Sequence, residues 1–439
     1  MEKMSIFAID SSLSEQMLEW RRDFHQYPEI GWTEFRTASI IAHELSQLGF
    51  QVEIGKEVIS AERMGVPAPE QLEASYEKAE SNGGYTAYMK KMIGGYTGVV
   101  GTIKGKKPGP TIAFRFDMDA LEIEESKEAS HIPQQYEFRS RYEGNMHACG
   151  HDAHCAIGLG LATVLANNID QIEGTIKIIF QPAEEGVRGA KSMVEAGVVD
   201  GVDYFFGMHV GAGSPLGTVI AGTNGFLATT KINAKFVGKA AHAGAEPEKG
   251  RNALLAAASA ILGIHAIPNH SGGASRINVG TCIAGDGRNI VPAHASLQLE
   301  TRGENSDVHT YVHEQAIAVL EGSAKMYGTE LSYEIVGAAK TCSSSEQLIE
   351  LVVKAAGSVQ GLEEIIPSSK FAAGSEDATY MMDQVQKQGG HATYAVFGTT
   401  LAAGHHHEKF DIDEKVLAIT LNTWLGAIEQ VYQKEGGQL

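Results

Sequence analysis

The sequence predicts an α/β fold: a catalytic domain on a mostly parallel sheet, interrupted by a smaller inserted ferredoxin-like α/β unit. Three observations point there. Short apolar runs alternate with helical periodicities through much of the chain, the pattern of a layered α/β domain. Several of these runs end in Asp, Glu or His, where a parallel sheet presents the carboxyl ends of its strands to ligands. Residues 229–336 read strand, helix, strand, strand, helix, strand, which is the ferredoxin-like order. The expected division is 1–228 plus 337–439 for the catalytic domain and 229–336 for the inserted unit.

Taken in order, Ser12 and Glu15 form a capping box before an amphipathic stretch with Leu13, Met17, Trp20 and Phe24 on one face. A second helix is expected over 33–48, closed by Gly49. Residues 56–95 interrupt the short link expected between strands at 51–54 and 97–103. Pro69, Leu72, Tyr76 and Ala79 mark a helix in this segment, so it reads as an ordered excursion. Strands at 111–116, 175–180, 204–208 and 393–397 lead into Asp117 and Asp119, Glu184 and Glu185, His209, and His405–His407. In the insert, Ile232, Ala234 and Phe236 alternate as in a half-buried strand. Helices follow at 252–267 and 308–327, with strands at 276–284, 295–300 and 331–336. Hinges are expected near 225–230 and 336–341.

Composition removes several functions. A formal net charge of −19 leaves no basic stripe for nucleic acid. No run is long enough to span a bilayer, and the N-terminus lacks a signal-peptide core. The four cysteines, at 149, 155, 282 and 342, include no CxxC pair, so a reduced, cytoplasmic setting is expected. Cys155 and Cys282 read as small buried hydrophobes. The acidic run 122–128 reads as a solvated face.

The chemistry concentrates in residues 146–154, where three histidines, a cysteine and an aspartate precede an apolar helix. Imidazole and thiolate at this density suit a borderline-soft divalent metal. The inventory is completed by Glu184, Glu185, His209 and His405–His407. Neighbouring residues at a strand end point to opposite sides. One glutamate is thus expected to ligate while the other moves the proton of an attacking water. His154, one turn beyond His151, is assigned a structural role.

The motifs MHACGHDAH, DMDAL, QPAEEG and GHHHEKFDIDE together resemble the M20 metallopeptidase family, in its aminoacylase-like amidohydrolase branch, over essentially the whole chain. The excursion, residues 373–379 and the late histidine turn look like members acting on p-aminobenzoyl-glutamate. The resemblance implies two divalent ions, zinc or manganese, and a lid domain that also mediates dimerisation. It implies Cys149 as bridging ligand, His151, Glu185 and His209 as further ligands, and Glu184 as general base. The family ligand lies four residues before F-x-x-D-E, which selects His406. Asp117 would support the site, and His242 would reach a neighbouring protomer's active site to stabilise the oxyanion. Asn289 and Arg302 match lid positions that meet the substrate carboxylate. Arg115 stands where many branches have a metal-binding histidine. The implied activity is amide hydrolysis of an N-acyl-amino acid, with p-aminobenzoyl-glutamate first. Alternatives are a general N-acyl-amino-acid deacylase, a small-peptide hydrolase, or a non-catalytic metal-bound partner chain. The implied assembly is a homodimer, or a heterodimer with a related second chain.

Overall fold

The computed structural model describes residues 6, 7, 9–370 and 374–436. Its larger sheet has eight strands in the order Gln51–Ile54, Val99–Lys104, Glu173–Gln181, Lys107–Asp117, Tyr204–Val210, His391–Phe397, Thr218–Ile220, Glu364–Ile366. The four central strands, from Glu173–Gln181 to His391–Phe397, run parallel. The flanks do not. Gln51–Ile54, Val99–Lys104 and Glu173–Gln181 pair antiparallel, as do His391–Phe397 and Thr218–Ile220. The sheet is therefore mixed, parallel through its centre and again between the edge strands Thr218–Ile220 and Glu364–Ile366. The link between Val99–Lys104 and Lys107–Asp117 holds only two residues, too few for a parallel crossover.

The central strands are apolar on both faces because helices cover both. Alternate residues go to opposite sides. Ile112, Phe114 and Phe116 join a core with Trp424 of helix Lys415–Gly436 and with helix His151–Asn167. Ala113, Ile179 and Phe205 join a second core with Met381 and Met382 of helix Ala378–Lys387. Functional side chains are left at the strand ends, between these two packed layers.

The excursion is ordered. Pro69 opens helix Pro69–Ser81, a short helix Thr86–Met89 follows, and Tyr76 meets Phe35 edge-on. Trp32 donates its indole N–H to the Met64 carbonyl at 2.8 Å, and Arg63 lies over the Tyr96 ring. The first helix is Leu13–Gln26, but its capping box does not form: Ser12 instead bonds Asp10 through both its amide and its hydroxyl.

Residues Ala228 to Ala339 form a four-stranded antiparallel sheet in the order Glu330–Ala339, Ala228–Val237, His294–Gly303, Ser275–Ala284. Helices Ala253–His265 and Ser306–Tyr327 pack on it through Ala256, Ala260 and Leu320 against Ile232, Phe236 and Leu297, a core of its own. Asn252 and Asn305 cap these helices with their side-chain oxygens. Cys282 is exposed here rather than buried, because it lies on an edge strand. Among the described residues no helix is long and apolar enough to cross a membrane.

Candidate metal centre

Gly150, at φ 92°, turns the chain into helix His151–Asn167 and sets Cys149 and His151 on either side of the helix start. A Cβ at 150 would also meet Val210 at 2.8 Å, so only glycine fits. Both neighbours face the ends of the central strands. The Cys149 Sγ lies 3.4 Å from His209 Nε2 and 3.6 Å from His405 Nδ1.

The imidazoles are oriented by hydrogen bonds on their far sides. His151 Nδ1 bonds the Asp119 carbonyl at 2.8 Å, and His209 Nδ1 bonds the Val210 carbonyl at 2.7 Å. A carbonyl only accepts, so both protons sit on Nδ1 and both Nε2 lone pairs face the cluster. His151 Nε2 is buried and makes no hydrogen bond. His154 is turned the other way: its Nε2 accepts the Val210 amide at 3.0 Å and its Nδ1 bonds Asp117. Both nitrogens are used, in keeping with a structural role. His405 is likewise committed, since its Nε2 accepts the Ala212 amide. His406, at φ 61°, brings Nε2 within 3.3 Å of Glu185 Oε1.

Glu184 and Glu185 are not separated by strand alternation. The strand ends at Gln181, and a turn with Ala183 at φ 51° and Gly186 at φ 83° carries both carboxylates to the same cluster. Asp119 accepts their two amides, and Glu34 accepts that of Ala183. Glu184 Oε2 stands 3.9 Å from His151 Nε2. Burial, then the charges of Glu376, Glu185 and Asp377, holds the Glu184 carboxyl well above the usual carboxylate range. Burial, then Glu185, pushes up the Cys149 thiol, while burial and His154 push His209 well down. A divalent ion would reverse such shifts for the groups it touches.

Two sets of donor atoms, each lying within 4.8 Å of one another, share Cys149: Cys149 with His151 and His209, and Cys149 with Glu185 and His406. Glu184 joins a third with His151 and Glu185. A thiolate, imidazoles and a carboxylate with lone pairs already directed inward fit divalent zinc or manganese.

Asp117 lies behind the cluster. Its Oδ2 takes Arg115 Nη1 at 2.7 Å and its Oδ1 takes His154. Arg115 also reaches Gln181, Glu376 and Asp377, so its place is filled by a buried cation that ties acidic groups together. Glu376 in turn accepts the Tyr394 hydroxyl. Glu376 and Asp377 lie in the 373–379 stretch that carries part of the family resemblance, but no ligand spacing marks them or Tyr394, and only the fold brings them here. The DMD pattern did mark Asp119. The acidic run 122–128 is not wholly solvated: Glu125 is buried between His25 and His131.

The remaining candidates lie on the smaller sheet and its loops. His242 is exposed, and its Nδ1 accepts the amides of Gly244 and Ala245, which leaves a proton on an outward Nε2. Asn289 is exposed beside it, its carbonyl accepting the Ala243 amide. Arg302 is turned onto Glu300 through Nε and Nη2. None of the hydrogen bonds described for these three reaches the Cys149 cluster.

A model of peptidase family M20/M25/M40 matches residues 113–430. The chain is 51% identical over 424 residues to a p-aminobenzoyl-glutamate hydrolase subunit from Escherichia coli, covering 96% of this chain and 97% of that one. It is also 51% identical over 412 residues to indole-3-acetyl-aspartic acid hydrolase of Enterobacter agglomerans, covering 94% of each. The crystal structure of an aminobenzoyl-glutamate utilization protein from Klebsiella pneumoniae superposes with a TM-score of 0.82 at 45% identity, over 95% of this chain and 96% of that one. Matching this fold and this donor cluster, the chain belongs to peptidase family M20/M25/M40 and is a metal-dependent hydrolase.

Proposed function

We propose that the protein hydrolyses the amide between an aromatic acyl group and an amino acid, with p-aminobenzoyl-glutamate as substrate and p-aminobenzoate and glutamate as products. The pair of donor sets sharing Cys149, with the Glu184 carboxylate beside them, supports metal-assisted amide hydrolysis, and the 51% identity to a p-aminobenzoyl-glutamate hydrolase subunit supports the substrate. Cys149, shared by the two donor sets, would hold two divalent ions together with His151, His209, Glu185 and His406, with Asp117 supporting from behind. Zinc and manganese both suit these donors. When bound, the ions supply Lewis acidity towards water and the amide carbonyl. Glu184 takes the proton of the attacking water and returns it to the leaving nitrogen. Its carboxylate, 3.9 Å from His151 Nε2 and beside the shared donor sets, stands where that exchange requires it.

The smaller sheet, residues 229–336, acts as a ferredoxin-like lid and dimerisation domain. Its Leu262 and Ile283 are each 74% exposed, on a helix and an edge strand respectively, which supports burial against a second chain. That second chain is an identical copy or a related protein; the Escherichia coli relative is itself named as one subunit of its enzyme. His242, with its outward Nε2 proton, serves the oxyanion in the neighbouring protomer, and Asn289 and Arg302 hold the substrate α-carboxylate. A bridging thiolate suits a reducing, cytoplasmic compartment.

Equal identity to the indole-3-acetyl-aspartic acid hydrolase favours a second reading, in which the same site accepts other aromatic acyl amides of acidic amino acids. Turnover of p-aminobenzoyl-glutamate should be compared with that of indole-3-acetyl-aspartate and of acetyl- and benzoyl-amino acids. No preference for aromatic acyl-glutamate would remove the narrow assignment.

A further inference from the structure

Two cavities meet at Glu185. One, of about 260 Å³, is lined by the candidate donors Cys149, Glu185, His209 and His406 together with Phe226, Tyr394, Glu184 and Glu376, and has no lysine or arginine in its wall. The other, of about 530 Å³, lies between the catalytic sheet and the smaller sheet, and its wall includes Arg188 and Lys231. Cleavage at the cluster would put the two halves of an acyl-amino acid on its two sides. An aromatic ring is suited to the first cavity, whose carboxylates would repel a dicarboxylate. The acidic half belongs in the second.

Arg188 is held as a fixed cation there. Its Nε donates to the Glu185 carbonyl at 2.9 Å and its Nη1 to the Gly65 carbonyl at 3.0 Å. Glycines make room for it: a Cβ at Gly31 would lie 2.2 Å from Nη2, and one at Gly65 2.8 Å from Cδ. Among the described residues Arg188 forms no ion pair, and Nη2 donates no hydrogen bond. By contrast Lys231, in the same wall, is paired with Glu300 at 3.2 Å. Glu122 and Glu334 also reach this cavity, so an anion is favoured there only close to the guanidinium. A preset, unpaired guanidinium beside the cluster is a carboxylate receptor. Gly65 belongs to the 56–95 excursion, so that segment helps to fix the receptor.

We infer that Arg188 binds the side-chain carboxylate of the acidic amino acid released by cleavage, a specificity-determining contact distinct from the α-carboxylate contacts proposed for Asn289 and Arg302. The inference rests on the amide-hydrolase reading, but its test does not depend on turnover. Metal-loaded wild type, Arg188→Gln and Arg188→Lys would be titrated calorimetrically with L-glutamate and with L-glutamine. In parallel, wild type would be assayed on p-aminobenzoyl-glutamate and p-aminobenzoyl-glutamine. R188Q should weaken glutamate binding roughly 10–100-fold and leave glutamine nearly unchanged, as expected for loss of a hydrogen-bonded charge. R188K, which keeps charge but loses the planar fork, should weaken glutamate less and spare glutamine. Should R188Q not fold, R188K decides, and unchanged glutamate binding by it overturns the assignment. Equal losses for both amino acids, or a wild type that does not prefer glutamate, also overturn it, leaving Arg188 as a tether for the excursion. Absence of amide turnover in wild type would refute the hydrolase reading alone, while the titration still decides Arg188.

Discussion

Asp119 Oδ1 accepts the backbone N–H of Glu184 at 3.0 Å, and its Oδ2 takes the next amide at 2.9 Å. One carboxylate thus holds the stretch of backbone that carries both Glu184 and Glu185. Asp119→Ala removes this clamp, and the contact of Oδ1 with His151 Nδ1 at 3.4 Å, without replacing a proposed ligand. It should lower metal affinity and kcat/KM by roughly 10–100-fold, the usual effect of losing a group that orients ligands. Metal titration and steady-state kinetics would check this, and wild-type values for both would refute the positioning role.

Glu184→Gln should behave differently. The amide cannot carry the proton, so kcat should fall by about 10²–10⁴-fold while bound metal, read by elemental analysis, stays at the wild-type level. Undiminished activity would remove Glu184 from the reaction, and activity persisting in thoroughly metal-stripped protein would refute the scheme as a whole.

Arg115 is the only lysine or arginine hydrogen-bonded to Asp117, Glu376 and Asp377 among the described residues, and all four are buried. Arg115→Leu would strand these carboxylates. A loss of about 3–5 kcal/mol in unfolding free energy is expected from an unpaired buried charge. Urea denaturation measures it; a loss below about 1 kcal/mol would mean that the carboxylates find another partner.

The buried pair His25 and Glu125 gives a pH signature away from the metal centre. Burial opposes protonation of His25, but Glu125 and Asp152 outweigh it and hold its pKa at about 9. Burial likewise opposes ionisation of Glu125, yet His25 and His131 bring it down to about 2. The His25 contribution is complete below its ordinary value of 6.5 and is lost as pH rises through about 9. That of Glu125 is complete above 4.5 and is lost as pH falls through about 2. Replacing His25 by Gln should therefore flatten the decline in stability between about pH 7 and pH 9. Urea midpoints across that range test it, and an unchanged slope would count against the pair.

If His242 works across a dimer, mixing inactive His242→Ala with inactive Glu184→Gln should recover activity, because some hybrid sites would have both groups intact. No recovery after verified exchange of protomers would confine His242 to its own chain or remove it from the reaction.

Short continuous apolar runs located the central strands, and the polar residues ending them gave most of the cluster, because both signals are local. Longer-range relationships were hidden. Glu125 sits in a charged run that looks solvated, and only the arrival of His25 from the first helix makes burial possible. Glu376, Asp377 and Tyr394 are brought to Arg115 by a crossover that no spacing encodes. Local rules also misled at Ser12, which lost its capping role to a hydrogen bond with Asp10, and at Glu184 and Glu185, which leave the strand before its alternation can separate them.

The smaller sheet is joined to the rest of the chain through two neighbouring strands. Thr229 pairs with Ala339 in an antiparallel ladder, so the outgoing and returning chains form a single ribbon. Such a ribbon bends across its strands far more readily than its members slip past each other, so movement here reduces to a swing about one axis. Just beyond the pivot, the Ala338 amide is held by the Val187 carbonyl, in the turn that carries Glu184 and Glu185. A swing of the smaller sheet about this ribbon would therefore pull directly on the turn that carries Glu184 and Glu185.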